Sequence, residues 1–315
     1  MKLSALHSLI AAVEEGSLRG AARRLNLSQP ALSKTIRELE KELAAPLLER
    51  SSTGVVPTAQ GKVLYEHARN AGRELNAAVD EIRQLGGAMV GELNVGAVPV
   101  AVMLLIPETL RTFSRQFPDI GLRVNEELFF AQMQKLRSGQ VDVAICGIPD
   151  GLAAGEFLVE PLLETEMVVV AHRDSRHQRA RSLRDLMQAP WVYTGSLNDT
   201  GYARLLFERH GLSAPPTRTI VNSTLVLLSL VTAGDYVALM PRQIAAHALA
   251  SKLFSIVPIA EHGYPLQVGA LIRRESETRP VIRHFLAHLH RAAHHVRHLP
   301  GGGASASGPP SSASP

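Results

Sequence analysis

Gln29, Ser33, Lys34 and Arg37 bring a carboxamide, a hydroxyl, an ammonium and a guanidinium onto one short stretch. Carboxamide and guanidinium groups pair with base edges in a major groove, and ammonium and hydroxyl groups meet phosphates. The chemistry on offer is recognition of duplex DNA. Ser28 and Pro30 belong to the same stretch. Farther on, Arg50 and Ser52 stand at a polar turn, a placement suited to the DNA backbone or minor groove.

The surrounding residues must position this set. Ser17 to Arg37 reads as two short helices joined by a tight turn. Ser17 is placed to cap the first helix and Ser28 the second, because a hydroxyl accepts from the free N–H groups of a first turn. Asn26 ends the first helix, since Asn tolerates the left-handed conformation. Pro30 falls in a first turn, where a missing N–H costs nothing. Leu32, Ile36, Leu39 and Leu43 then form one apolar face, leaving the polar set outward. That is a helix-turn-helix, whose second helix enters the groove by its N-terminal end. A pair of amphipathic helices with a solvated polar face remains the alternative on these residues alone.

Leu3, Leu6, Leu9, Ile10 and Val13 make a helical stripe to pack beneath, stopped by Gly16. Pro46 to Arg50 and Gly54 to Pro57 read as two extended pieces around Ser51 to Thr53, either a wing or an ordinary hairpin. A long helix is expected from Thr58 to about Leu85. On it Leu64, Ala68, Ala71, Leu75, Ala78, Ile82 and Leu85 recur at alternating spacings of four and three, as a heptad seam does. The seam implies a paired helix and a dimer, or else packing on its own domain. Gly86-Gly87 serves as a linker.

Whole-chain properties exclude several classes. The 315 residues carry a net charge of only +4, so DNA affinity must come from a local surface. The single cysteine excludes an intramolecular disulfide framework. No signal peptide opens the chain, and no apolar run approaches the roughly 18 residues of a membrane span. A cytoplasmic protein with no membrane association is expected. No Gly-x-Ser-x-Gly elbow, phosphate loop or Cys-based metal site appears, which argues against an α/β enzyme. A pure solute-binding protein would need an export signal and would not need residues 1 to 87.

From Gly91 the pattern becomes α/β. Strands are expected at Glu92–Val98, Leu122–Glu126 and Val141–Cys146, with helices at Val102–Gln116 and Phe130–Ser138. A second unit has strands at Glu166–Ala171, Trp191–Tyr193, Thr219–Val221, Tyr236–Met240, Leu253–Ile259 and Leu266–Ile272. Its helices are Leu183–Gln188, Tyr202–His210 and Thr224–Ala233, and Val281–Leu299 is the last. The alternation implies a mostly parallel sheet covered by helices. Two α/β lobes joined by crossovers near Leu163 and Leu266 would leave a cleft, with ligands outside the C-terminal strand ends. Residues 301–315 are Gly, Ser, Ala and Pro only, and 300–315 read as a disordered tail.

The chain resembles the LysR-type transcriptional regulators over residues 1 to about 298. Glu14-Glu15-Gly16-Ser17, Ala21-Ala22, Leu27 to Ser33 and Ile36 to Glu40 match the family's N-terminal signature. Pro46 to Arg50 and Thr58-Ala59-Gln60-Gly61 continue the match. Phe117-Pro118, Gly139 to Ala144, Ala233-Gly234 and Met240-Pro241 agree farther on. The resemblance implies an α/β protein with an all-α N-terminal part, comprising three pieces. These are a winged helix-turn-helix over 1–58, a dimerisation helix over 59–90, and an effector-binding domain over 91–299 like a periplasmic binding protein. Lobe one would hold 91–163 and 267–299, and lobe two 164–266. It also implies a homodimer or homotetramer on promoter DNA, no cofactor, and a small organic, often anionic effector that alters promoter bending and contacts with RNA polymerase. Lys34 stands where Arg is common, keeping a phosphate contact and losing two-point reach. The wording of Ser17-Leu18-Arg19 and Ala45 to Leu48 is similar to regulators responding to sulfonates and sugars.

Several residues are candidates for the effector cleft. Val98, Pro99 and Val100 open a helix after the first strand of lobe one, where backbone N–H groups are placed to hold an anion; a packed turn is the alternative. Many family members carry Ser or Thr in this loop. This chain has neither, which points to a more apolar ligand or one held by amides. The resemblance sets Phe129 at the cleft edge and Gly147 within the site. Ser196, Asn198 and Thr200 lie on a polar, glycine-bounded loop of the opposite lobe. Asn222 and Ser223 either cap a helix or offer a second anion-holding start. Cys146 reads as a small core residue. His284, His288, His290 and His294 share helical spacing, but without a nearby carboxylate or cysteine they read as a solvated face rather than a metal site.

Overall fold

The computed structural model describes residues 1–51, 54–127, 129–148, 152, 155–195, 201–247 and 250–298. Met1–Ile82 forms one compact unit, and a second holds Arg83–Arg137 and the chain from Val141 onward.

The first unit opens with α1 (Leu3–Glu15), α2 (Leu18–Arg24) and α3 (Gln29–Glu42). Ser17 Oγ accepts from the Gly20 N–H at 3.2 Å, and Ser28 Oγ from the Ala31 N–H at 3.3 Å. Gly16 and Asn26 both adopt positive φ, at 59° and 54°, and end the helices before them. Leu9, Ala12, Ala21, Leu32, Ile36 and Leu39 are buried between the three helices. Two expected members of the apolar stripes are not. Leu3 and Leu43 are exposed, because α1 turns Ala5, Ser8 and Ala12 inward, where small side chains allow close approach, and Leu43 is already the C-cap of α3.

A hairpin of β1 (Leu48–Ser51) and β2 (Gly54–Pro57) follows, antiparallel, with Arg50 opposite Val55. It is fastened on both sides. Val55 N–H donates to the Gly16 carbonyl at 2.9 Å, and Glu40 of α3 accepts from the N–H groups of Leu47 and Leu48. Thr58 begins the next helix by accepting from Gly61 N–H at 2.9 Å while its hydroxyl donates to the Pro46 carbonyl. Gly61 must lack a side chain, since a Cβ there would stand 1.9 Å from the Leu47 carbonyl oxygen. α4 (Ala59–Leu85) packs its first turns on this unit through Leu64 and Ala68. Beyond them Leu75, Val79, Ile82 and Leu85 are 50%, 47%, 71% and 72% exposed, so packing on its own domain does not account for the far half of the seam.

The second unit is built on one sheet. Its elements in order are β3 (Gly91–Ala97), α5 (Pro99–Leu104), α6 (Ile106–Gln116), β4 (Ile120–Glu126), α7 (Phe129–Arg137), β5 (Val143–Gly147) and β6 (Phe157–His172). There follow β7 (Trp191–Thr194), α8 (Tyr202–Arg209), β8 (Thr219–Val221), α9 (Thr224–Ala233), β9 (Val237–Pro241), α10 (Arg242–Ala246), β10 (Phe254–Ile256), β11 (Tyr264–Arg273) and α11 (Pro280–His298). The strand order is β4-β3-β5-β11-β6-β9-β7-β8, with β10 also paired to β6. β4, β3 and β5 run parallel, as do β9, β7 and β8. These two ends of the sheet, with their helices, are lobes one and two.

Two expectations change here, and a third is located. The sheet is not mostly parallel, because β11 and β6 pair antiparallel with each other and with their neighbours through the middle. The crossovers expected near Leu163 and Leu266 fall on that central pair, which carries the chain between the two ends of the sheet: Leu163 faces Val268 and Leu266 faces Thr165. The register shifts between Val268 and Gly269, where Pro161, having no N–H to give, allows a bulge. The helix expected over Val102–Gln116 starts at Pro99 and breaks at Leu105, since Pro107 cannot donate to the turn before it. α10 and the extension of β6 back to Phe157 have no counterpart in the sequence reading, because both lack a period of their own.

α11 packs on α6, with Phe113, Phe117 and Phe285 in a tilted and edge-on cluster. At its start the Arg279 guanidinium is buried against Asp142, which also accepts from Asn94 N–H at 2.8 Å. Gln84, buried near the end of α4, donates to the Val90 carbonyl and accepts from Val281 N–H. No helix among the described residues is long and apolar enough to cross a membrane.

Candidate DNA interface and effector cleft

The capped start of α3 carries the expected polar set. Ser28, Gln29, Pro30, Lys34 and Arg37 are exposed. Lys34 stands 3.8 Å from Glu38, a loose pair with both partners exposed, and such pairs hold a side chain weakly. Arg37 Nε donates to the Ser33 carbonyl at 3.2 Å. Ser33 itself departs from expectation. It is 8% exposed, because it neighbours Leu32 on the side of α3 that packs inward. The Arg50 side chain and Ser52 lie outside the described residues.

In lobe one, part of the turn after β3 is already committed. Val98 N–H is given to the Ile145 carbonyl at 2.9 Å, and Pro99 has none. Ala101 and Val102 both donate to the Val98 carbonyl, at 2.9 and 3.0 Å. Val100 is buried in the main core. The turn is packed, and its Val98 N–H is already used. Phe129 is half-buried and packs beside Met133, Leu136 and Cys146. Burial pushes the Cys146 thiol up to about 12, so it stays protonated and unreactive.

Gly147 ends β5 under a close contact from lobe two. A Cβ there would stand 2.4 Å from Tyr202 Oη and 2.7 Å from Leu266 Cδ1. The Tyr202 ring also lies against Tyr264, centroids 5.8 Å apart, and burial raises its phenol to about 12. Ser196, Asn198 and Thr200 lie outside the described residues. The Asn222 carboxamide is oriented to donate to the Gly195 and Val221 carbonyls at 2.8 and 3.1 Å, bracing the end of β7. Ser223 caps α9 by accepting from Val226 N–H at 3.4 Å. The next hydroxyl, on Thr224, donates to Glu126 of lobe one at 2.8 Å.

Tyr202, Thr224, Glu126, Glu127 and Gln132 are the residues of this region that sequence reasoning missed. Each is an ordinary polar residue locally, and only the pairing of strands remote in sequence brings them to one edge of the sheet. Within the histidine-rich α11, His288 is buried between Thr112 Oγ1 at 2.8 Å and Gln116 Oε1 at 3.0 Å. His284 stacks on Phe117, and His290 meets Glu160 at 3.1 Å. The wholly solvated face expected here is therefore corrected: α11 turns this face against α6 and β6. Among the described residues no three His, Cys, Asp or Glu side chains gather as a metal site.

Residues 86–294 match the family described as LysR substrate binding domain, and residues 3–62 match the bacterial regulatory helix-turn-helix protein, lysR family. The HTH-type transcriptional regulator GbpR of Azospirillum brasilense is 29% identical over 300 residues, covering 93% of this chain and 87% of that protein. TdcA of Escherichia coli K12, another HTH-type transcriptional regulator, is 27% identical over 79% of this chain and 80% of its own length. Among solved structures, CbnR, a LysR family transcriptional regulator, shares the fold with a TM-score of 0.68 at 23% identity, covering 93% of this chain and 99% of that one. The chain belongs to the LysR family of transcriptional regulators, with a DNA-binding helix-turn-helix ahead of a two-lobed substrate-binding-type domain.

Proposed function

We propose that the protein acts in the cytoplasm as a dimer or tetramer that reads a promoter dyad and answers to a small organic effector. Residues 1–58 bind DNA, 59–90 pair protomers, and 91–299 take the effector between lobe one (91–163 and 267–299) and lobe two (164–266). Gln29, Pro30, Lys34 and Arg37 meet the major groove, Ser28 fixes the helix start, and Arg50 and Ser52 reach the flanking backbone. Ser33, being buried, is left out of this set. Effector binding then alters the spacing of paired helix-turn-helix units, the bend of the promoter and contact with RNA polymerase.

The observation that carries the DNA reading is the start of α3, capped by Ser28, anchored by buried Leu32 and Ile36, and exposed at Gln29, Pro30, Lys34 and Arg37. Lys34→Ala and Arg37→Ala are expected to weaken binding by about 1–3 kcal/mol where a base is read, or to flatten the salt dependence where phosphate is met. Mobility-shift titrations over a range of salt separate the two. Unchanged affinity and footprint in both variants would remove the assignment.

A further inference from the structure

Lobe one carries a pair of buried acceptors at the edge where a ligand would enter. Gln132 on α7 is 0% exposed. Its amide nitrogen donates to the Glu127 carbonyl at 2.6 Å, which settles the orientation of the carboxamide, and its Oε1 has no donor. Glu127 gives one carboxylate oxygen to Lys135, and the other, Oε2, is buried without a donor. Glu127 follows the C-terminal end of β4, and Gln132, on α7, packs near that of β3. The Gln132 side chain rests on Gly96, 3.3 Å from where a Cβ would be, and Glu127 N–H donates to the Ala97 carbonyl at 3.1 Å. Open α/β sheets take ligands at this edge, and native proteins seldom leave two neighbouring buried acceptors unmet.

Several donors at the same edge are already engaged. The Val98 N–H is given to Ile145, and those of Ala101 and Val102 to the Val98 carbonyl; at the start of α9, Ser223 accepts from Val226 N–H and the Thr224 hydroxyl donates to Glu126. Lys135 is committed to Glu127. A carboxylate ligand would face Glu126, Glu127 and the oxygen of Gln132.

We infer that the effector presents hydrogen-bond donors, as a polyol or an aliphatic amine does, and that Gln132 Oε1 and Glu127 Oε2 accept from it. This rests on the reading that a small molecule binds between the lobes. The test is thermal denaturation of the full chain with a panel of polyols, aliphatic amines and dicarboxylates of matched length, each at a few millimolar. A rise in Tm with a polyol or an amine is expected, and which of the two classes acts tells O–H from N–H donors. The half-saturating concentration should rise at least tenfold in Gln132→Leu and in Glu127→Gln, with promoter binding retained. Gln132→Met, close in volume, repeats the measurement should the leucine variant fail to fold. Stabilisation by dicarboxylates alone overturns the inference and leaves effector binding standing. No shift from any class overturns both, and a response unchanged in all three variants overturns the assignment of the two oxygens.

Discussion

Thr224 of lobe two donates its hydroxyl to Glu126 of lobe one at 2.8 Å, across 98 residues of chain. The contact joins the last residue of β4 to the first residue of α9, so it exists only while the two ends of the sheet face each other. Glu126 is exposed, and water competes for both groups. Thr224→Val should therefore cost less than about 1 kcal/mol of stability while changing the response to any effector that acts by moving the lobes. Denaturation curves and effector titrations on the same variant check this. A large loss of stability with no change in response would make the contact a structural one.

Gly147→Ala sets a methyl group where Tyr202 Oη and Leu266 Cδ1 already stand. Overpacking of this kind costs about 1–3 kcal/mol. Tyr202→Phe removes the oxygen that makes the nearer clash, so the double variant should be more stable than the sum of the single changes. Additive losses in a double-mutant cycle would show that the two residues do not press on each other.

The exposed seam of α4 calls for a partner helix. Leu75→Glu and Ile82→Glu should each forfeit about 1.5–3 kcal/mol of association, roughly tenfold or more in the dimer dissociation constant. Sedimentation equilibrium measures it. Because both side chains are exposed within the protomer, the fold itself should be unaffected. An unshifted dissociation constant would put the interface elsewhere.

His288 makes stability depend on pH in a defined direction. Burial, helped by Arg291 and His284, holds its pKa below the ordinary histidine value. The unfolded chain therefore takes up the proton first, near pH 6.5. Stability is full above that pH and declines as pH falls from about 6.5 toward the lowered folded value. His177, also lowered by burial, acts in the same sense. His288→Gln keeps groups able to bond Thr112 and Gln116 and should flatten the decline in Tm between pH 7 and 5.5. An equally steep decline in that variant would assign the effect to other groups.

The helix starts at Ser17 and Ser28, the stops at Gly16 and Asn26 and the heptad spacing of α4 were all legible in the sequence. Each depends on interactions within a few residues, where hydroxyl caps, left-handed tolerance and a repeating apolar period act alone. So was the outward set on α3, save Ser33, whose burial is decided by how α3 is rotated against its neighbours. The centre of the sheet was not legible. β6 and β11 were read as strands with crossovers near Leu163 and Leu266, but not as an antiparallel pair, because segments about a hundred residues apart carry no local mark of their relative direction. The cleft followed the same division. Val98, Pro99 and Val100 were found by position after a strand, but whether the Val98 N–H is free depends on Ile145, which another strand supplies. Glu126, Gln132, Tyr202 and Thr224 gain their roles only from tertiary contact. Sequence by itself determined the polar set displayed at the start of α3, since that surface lies on one helix. The tertiary structure decided which polar groups remain for a ligand, since hydrogen-bond partners come from wherever the fold brings them.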